Sequence, residues 1–226
     1  MFFFSPLDLV LLLPALALTL YAQAKVKNTF ERMSRVRAAS GMTGAQVAES
    51  LLRRNQINDV DVEEVAGTLS DHYDSRAKKL RLSREVYRSS SLAALGVAAH
   101  ETGHALQHRQ SYAPLNLRQS IFPVANLGSS LGIPLFIAGL FLSLPILRDA
   151  GIVIFAGAVL FHVVTLPVEF NASRRALAQL SSGGYLRADE IAGARRVLNA
   201  AALTYVAAAA MAAVHLIRLL LIRGND

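Results

Sequence analysis

The chain has 226 residues, of which 53% are hydrophobic and only 17% are charged, and its formal net charge is +7. Soluble globular domains are typically about 45–50% apolar and about 25% charged, so this composition excludes a disordered chain and argues against an ordinary soluble domain. The sequence contains no cysteine, which excludes disulfides, cysteine metal sites and a cysteine nucleophile.

Four stretches lack Lys, Arg, Asp and Glu, and a membrane-spanning helix needs about 20 mostly apolar residues. They cover residues 9–24, 119–147, 150–168 and 197–217. The first reaches spanning length if Phe2–Phe4 join it and Asp8 lies near the interface. Ala22–Ala24 resembles a signal-peptidase site, but no Lys or Arg precedes the stretch, which favours an uncleaved anchor. Only Arg148 and Asp149 separate the second and third stretches, which predicts a helical hairpin.

The distribution of basic residues predicts an orientation in the membrane. Residues 24–118 carry 15 Lys and Arg, and residues 169–196 carry five Arg, whereas residues 1–23 carry none. Because cytoplasmic loops are enriched in Lys and Arg, both basic segments are expected in the cytoplasm and both termini outside. The charge of +7 is then explained without a nucleic-acid partner, and none is predicted.

The segment between the first two spans has mixed local patterns. Thr43 and Gln46 form a capping-box pattern that predicts a helix ending near Asn55–Asn58. Alternation predicts a short strand at residues 60–65 and an edge strand at residues 79–83 that could hold an extended substrate by strand addition. Residues 67–75 are rich in turn formers. A long helix is predicted from Leu92 to about Gln110, capped by Ser89 or Ser90.

That long helix contains the sequence His100-Glu101-Thr102-Gly103-His104. Two histidines four residues apart lie on one helical face, so both imidazoles can bind one Zn²⁺. Glu101 would lie beside the open side of the metal, where it can accept a proton from bound water. Solvated histidines on a helix surface are the ordinary alternative, but the flanking residues are small and apolar, and burying these polar groups without partners would be costly.

A third ligand is required beyond His100 and His104. His108 is another four residues along, about 12 Å of helix rise from His100, so the three histidines cannot share one ion without a break in the helix. Glu169 is the better candidate, because it is the only acidic residue between Asp149 and Asp189 and is predicted on the same side of the membrane. The ordinary alternative is that Glu169 lies at the membrane interface without binding a metal.

Further candidates for supporting roles have weaker signals. Ser173 or Asn171 could orient a ligand histidine, and His108 could support the site or the substrate. A donor for the oxyanion of the reaction is sought among candidates that each also have an ordinary structural explanation: His72, Tyr73, Tyr185 and one of Arg174 and Arg175.

The strings AAHETGHALQH, LSDHYD, LRLSREVY, YAPLNLR and LPVEFNASRRAL resemble the YugP-type neutral zinc metallopeptidases of bacterial membranes, over nearly the whole chain. More distantly, the chain is similar to HtpX-type membrane proteases, which have a downstream Glu ligand and a cytosolic active site. The resemblance implies a gluzincin-like site with His100, His104 and Glu169 as ligands and Glu101 as base. Those relatives commonly have Asp where this chain has Ser173.

Together these features predict a mainly α integral membrane protein with about four transmembrane helices and a cytosolic α+β zincin-like domain, which carries a short sheet and the HExxH helix. The predicted parts are an anchor (1–24), the zincin-like domain (25–118), a transmembrane hairpin (119–168), a cytosolic segment with the third ligand (169–196) and a final span (197–226).

The predicted function is that of a zinc metalloendopeptidase of the bacterial inner membrane, with one Zn²⁺ per chain and its active site facing the cytoplasm. Its expected partners are the lipid bilayer and peptide or protein substrates, membrane proteins among them. There are two alternatives to an endopeptidase: a membrane protein that uses the zinc only structurally, and a small transporter. A structural site would need no base such as Glu101 and would have a fourth protein ligand.

Overall fold

The computed structural model describes residues 6–224. Phe2–Phe4 and the side chain of Asp8 lie outside the described residues, so their contribution to the first span stays a prediction. The helices and strands follow in the order α1 (Pro6–Ser34), α2 (Gly44–Arg54), β1 (Asp61–Val65), β2 (His72–Asp74), β3 (Lys79–Ser83), α3 (Arg84–Tyr87), α4 (Leu92–Arg109), α5 (Ala113–Phe141), α6 (Pro145–Ser182) and α7 (Ile191–Gly224).

The chain divides into two compact units. The first comprises Met1–Gln23, Asn116–Pro167 and Leu203–Asp226, and the second comprises Ala24–Leu115 and Val168–Ala202. Helix α6 is continuous across the boundary between Pro167 and Val168. The first part of the segment predicted to follow the third span is therefore the C-terminal part of this helix.

The first unit consists of long apolar helices. Within residues 6–224, four helices are long and apolar enough to cross a membrane, which agrees with the four predicted spans: Leu9–Ser34, Ala113–Phe141, Pro145–Ser182 and Ala188–Gly224. Large apolar side chains point outward along them, and Val153 is 70% exposed. Such exposure is favourable when lipid rather than water is the solvent, so these surfaces match a protein embedded in a bilayer.

The second unit combines helices with a three-stranded sheet whose order is β1-β3-β2. β3 pairs parallel with β1 and antiparallel with β2. The prediction that residues 79–83 form an edge strand is therefore wrong, because long-range pairing covers both sides of β3. Leu80 and Leu82 are fully buried on one face, whereas Arg81 on the other face bonds with Glu63 and Asp74.

Strand β2 is a second departure from the sequence interpretation, because it lies inside the stretch predicted only as turns. Arg81 on the neighbouring strand β3 forms an ion pair with Asp74 of β2, with 3.0 Å between the guanidinium nitrogen and the carboxylate oxygen. This cross-strand pair helps an otherwise polar segment to join the sheet.

The predicted helices of this unit are present, with one difference in capping. The capping box of Thr43 and Gln46 is confirmed, and α2 ends with Asn55 as its C-cap. α4 has the predicted extent, but its N-cap is Ser91, whose hydroxyl accepts a hydrogen bond from the amide of Ala94. Ser89 instead donates to the Ser91 hydroxyl, so it supports the cap from outside the helix.

Candidate metal centre

Helix α4 positions the two histidines of the HExxH sequence. His100 and His104 lie on one face of the helix, and the centroids of their imidazole rings are 4.8 Å apart. This is the arrangement expected for residues four apart in a helix with 3.6 residues per turn. Both rings can therefore direct a nitrogen toward a common point.

The close approach of α4 to α6 depends on Gly103. A β-carbon at this position would lie 2.7 Å from the carbonyl oxygen of Ala172, which is closer than side chains tolerate. Only a glycine allows the two backbones to approach this closely. Because Ala172 lies one turn after Glu169 on α6, this contact brings the carboxylate of Glu169 to the histidine face of α4.

The three side chains form one compact cluster. An oxygen of Glu169 lies 3.2 Å from Nε2 of His100 and 3.6 Å from Nε2 of His104. One ligand atom from each residue lies within 4.8 Å of the other two. Two imidazole nitrogens and one carboxylate oxygen are the donor set of many catalytic zinc sites, so these residues fit Zn²⁺ chemically.

The electrostatics of the cluster favour positive charge. Burial opposes the charged form of His104, but its hydrogen bond with Glu169 and the negative charges of Glu101 and Glu169 outweigh this, and the pKa of His104 is raised. Glu169 itself is only 2% exposed. The carboxylates that favour a proton on His104 would equally favour a bound dication, because both add positive charge at the same place.

Glu101 lies next to His100 in the chain and is 8% exposed. Within the described part of the chain its carboxylate makes no hydrogen bond, although its charge acts on His104 and on Asp71. Burial raises the pKa of Asp71, whose carboxylate accepts hydrogen bonds from the amide and hydroxyl of Ser83. Glu101 is thus a carboxylate beside the cluster that is not committed to a structural partner.

Each histidine has a hydrogen-bonding partner at its other ring nitrogen. Nδ1 of His100 lies 3.1 Å from the hydroxyl of Ser173, and Nδ1 of His104 lies 3.0 Å from Oε1 of Gln107. Asn171 reaches His104 only through Gln107, whose amide nitrogen donates to Asn171 Oδ1 at 3.0 Å. Such partners orient metal-binding histidines.

Gln107 is the residue of the site that the sequence interpretation missed. It is fully buried in the second unit, between Leu106 and His108 on α4. The available signal was its position, since a residue three after His104 lies on the same helical face.

Of the remaining candidates, two lie at helix α4 and the others are engaged elsewhere. The hydroxyl of Tyr73 on β2 lies 2.9 Å from Nδ1 of His108, so these two form a pair next to α4. Burial, together with the charges of Asp59 and Asp74, raises the pKa of Tyr73 to about 12, so the phenol keeps its proton at neutral pH.

Three other candidates lie in different surroundings. His72 is exposed and bonds to the carbonyl oxygen of Ser70. Tyr185 belongs to the buried core, where its hydroxyl is 2.6 Å from that of Ser50. Arg174 is exposed on α6. The structure therefore does not bring His72, Tyr185 or Arg174 into the cluster of His100, His104 and Glu169.

Two further histidines, His162 and His215, lie in the long uncharged stretches of the sequence. His162 and His215 line a cavity of about 390 Å³ in the first unit, together with Thr19, Gln23 and Ser129. Among residues 6–224, His100, His104 and Glu169 are the one group of three His, Cys, Asp or Glu side chains close enough to hold a single ion.

Comparison with known proteins supplies independent information. Residues 8–224 match the model of a family described as "Putative neutral zinc metallopeptidase". The chain is 49% identical to the "Putative membrane protease YugP" of Bacillus subtilis (strain 168), over 97% of this chain and 99% of that protein. No solved structure matches the chain.

Proposed function

The chain belongs to this family of neutral zinc metallopeptidases, and from that membership we propose that it is a membrane-embedded zinc endopeptidase. The observation that carries the proposal is the cluster in which ligand atoms of His100, His104 and Glu169 lie within 4.8 Å of one another. One Zn²⁺ would be held by these three residues, leaving a fourth position for water and substrate. That open position distinguishes a catalytic site from a structural one.

Zinc bound there would polarise the scissile carbonyl and lower the pKa of bound water toward about 7. Glu101 acts as the general base, accepting a proton from the attacking water and passing it to the leaving amine. The uncommitted state of its carboxylate supports this role, because a base must be free to bind water and then release its proton.

The edge of strand β2 is the proposed place for an extended substrate. Among the described strands β2, like β1, pairs with a strand on one side only, so an extended segment could add to its other side. The bond between Tyr73 and His108 ties this edge to the zinc helix. The protonated phenol of Tyr73 is the proposed donor to the oxyanion, and recognition through the peptide backbone implies broad specificity.

The proposed location is the bacterial inner membrane, with the active site facing the cytoplasm. The one-sided distribution of Lys and Arg along the sequence supports this orientation. Substrates would then be cytosolic or membrane-proximal protein segments, including parts of other membrane proteins.

The test compares full-length wild type with Glu101→Gln and Glu169→Ala in detergent, measuring zinc content and cleavage of an unfolded protein. Glu101→Gln should keep its zinc and lose cleavage, because it removes the base but no ligand. Glu169→Ala should lose much of its zinc. Cleavage by Glu101→Gln at the wild-type rate would refute the proposed base, and full zinc affinity in Glu169→Ala would refute the third ligand.

A further inference from the structure

A chain of buried hydrogen bonds connects His104 to the helix that carries Glu169. Oε1 of Gln107 lies 3.0 Å from Nδ1 of His104, and its amide nitrogen donates to the carbonyl oxygen of Val168 at 2.8 Å and to Oδ1 of Asn171 at 3.0 Å. The side chain is 0% exposed, so no bulk water can substitute for these partners. Val168 directly precedes Glu169, so the bond to its carbonyl oxygen also ties the two ligand-bearing helices together.

The directions of the bonds in this chain are set by Arg175 and by the carbonyl oxygen of Val168. The guanidinium group can only donate, and Nε of Arg175 lies 2.6 Å from the side-chain amide of Asn171, so the oxygen of that amide must face it. The same oxygen and the carbonyl oxygen of Val168 both accept from Gln107. A flipped Gln107 would place its oxygen against two other oxygens, so its nitrogen faces α6 and its oxygen faces His104.

The consequence is a fixed tautomer of His104. Facing an oxygen that can only accept, Nδ1 of His104 must carry the hydrogen, and a neutral imidazole then has its lone pair on Nε2. That atom is the one directed to Glu169, at 3.6 Å. His100 differs, because the hydroxyl of Ser173 beside its Nδ1 can donate as well as accept and so imposes no tautomer.

We propose that Gln107 is a positioning residue that, oriented by Asn171 and Arg175, fixes the Nδ1–H tautomer of His104 and presents its Nε2 to the metal. The inference rests on the proposed zinc site and adds to it a residue that neither binds the metal nor touches substrate. A buried amide three positions after the HExxH sequence would thus support metal binding indirectly, through His104.

The test uses full-length protein in detergent, with zinc affinity measured by chelator competition and the Nδ1–H resonances of the zinc-bound histidines measured by ¹⁵N-edited NMR. Gln107→Met keeps the length of the side chain but removes its hydrogen bonds, and it should weaken zinc binding about 10- to 100-fold. It should also move the His104 resonance upfield and leave that of His100 unchanged. Ser173→Ala should do the reverse, which assigns the two resonances.

Asn171→Asp is the conservative control, because aspartate keeps the accepting oxygen for Arg175 and Gln107. Its zinc affinity should stay within about threefold of wild type and both resonances should remain. Asn171→Leu removes one of the two acceptors of the Gln107 amide and leaves the carbonyl of Val168. It should therefore move the His104 resonance in the same direction as Gln107→Met, by a smaller amount, and leave that of His100 unchanged, which provides a test even if Gln107→Met fails to fold.

The possible results separate this inference from the proposed function. A wild-type protein that binds no zinc would refute the metal site itself. If wild type binds zinc and Gln107→Met or Asn171→Leu leaves the His104 resonance in place, the positioning role is refuted. Asn171→Asp binding zinc as weakly as Gln107→Met would also refute it, since the retained acceptor would then not be what orients Gln107.

Discussion

Replacing Gly103 by alanine tests whether the close approach of α4 to α6 holds the three proposed ligands, His100, His104 and Glu169, together. The added β-carbon would lie 2.7 Å from the carbonyl oxygen and 3.2 Å from the Cα of Ala172. Both are helix backbone atoms, which cannot rotate aside as a side chain can. The helices must therefore separate by roughly 0.5 Å to restore an ordinary contact.

A separation of that size matters more to the metal site than to the fold. Overpacking typically costs about 1–3 kcal/mol, while alanine improves helix propensity over glycine by about 1 kcal/mol. The net loss of stability is therefore about 0–2 kcal/mol. Zinc–ligand distances tolerate only about 0.2 Å, so we expect at least a tenfold loss of zinc affinity, equivalent to about 1.4 kcal/mol.

Gly96 provides a matched control in the same helix. A β-carbon there would lie 3.4 Å from the β-carbon of Ala194, which is an ordinary van der Waals contact. Gly96→Ala should therefore bind zinc like wild type and melt at the same or a higher temperature. The assay is chelator competition and thermal unfolding of both full-length variants in one detergent. Equal zinc affinity of Gly103→Ala and Gly96→Ala would refute the reasoning.

Two further predictions concern residues near the cluster. Because burial raises the folded-state pKa of Asp71 above its usual 3.8, this group's contribution to stability falls as pH rises from that value through the folded pKa. Asp71→Asn should remove this pH-dependent contribution to stability. If the melting temperatures of wild type and Asp71→Asn depend on pH in the same way, the prediction is wrong. Tyr73→Phe should lower kcat and retain zinc, whereas Tyr185→Phe should lose about 1 kcal/mol of stability through its bond to Ser50 and keep its activity. Equal activity of the two tyrosine variants would argue against Tyr73 as the oxyanion donor.

Features set by neighbouring residues could be predicted from the sequence. The capping box of Thr43 and Gln46 and the extent of α4 depend on side chains within one or two turns, and the structure confirms both. The four candidate spans among the described residues follow from long uncharged stretches. These signals are local, so the amino-acid sequence alone is sufficient to detect them.

The sheet depends on contacts between distant residues, and there the sequence interpretation was wrong. Lys79 and Arg81 gave β3 the charged character of an edge strand, but Glu63 on β1 pairs with both side chains. Asp74 pairs with Arg81 from the other side. Charges that suggest an exposed edge in isolation are thus cross-strand ion pairs in the folded protein.

The candidate site shows the same division. His100 and His104 could be identified from their spacing, and Glu169 from its isolation in a long stretch without other acids. The position of Gln107 on the histidine face could be read from the sequence, but its partners could not, because Val168 and Asn171 lie more than 60 residues away on α6. A buried amide acquires its role only from the groups that the fold places around it.

X-ray absorption at the zinc edge of the purified full-length protein tests the central claim most directly. The account predicts one Zn²⁺ per chain, with two imidazole nitrogens at about 2.0–2.1 Å, oxygen for the remaining ligands, and one imidazole fewer after His104→Ala. A protein without stoichiometric zinc, or a zinc whose coordination is unchanged in His104→Ala, would contradict it.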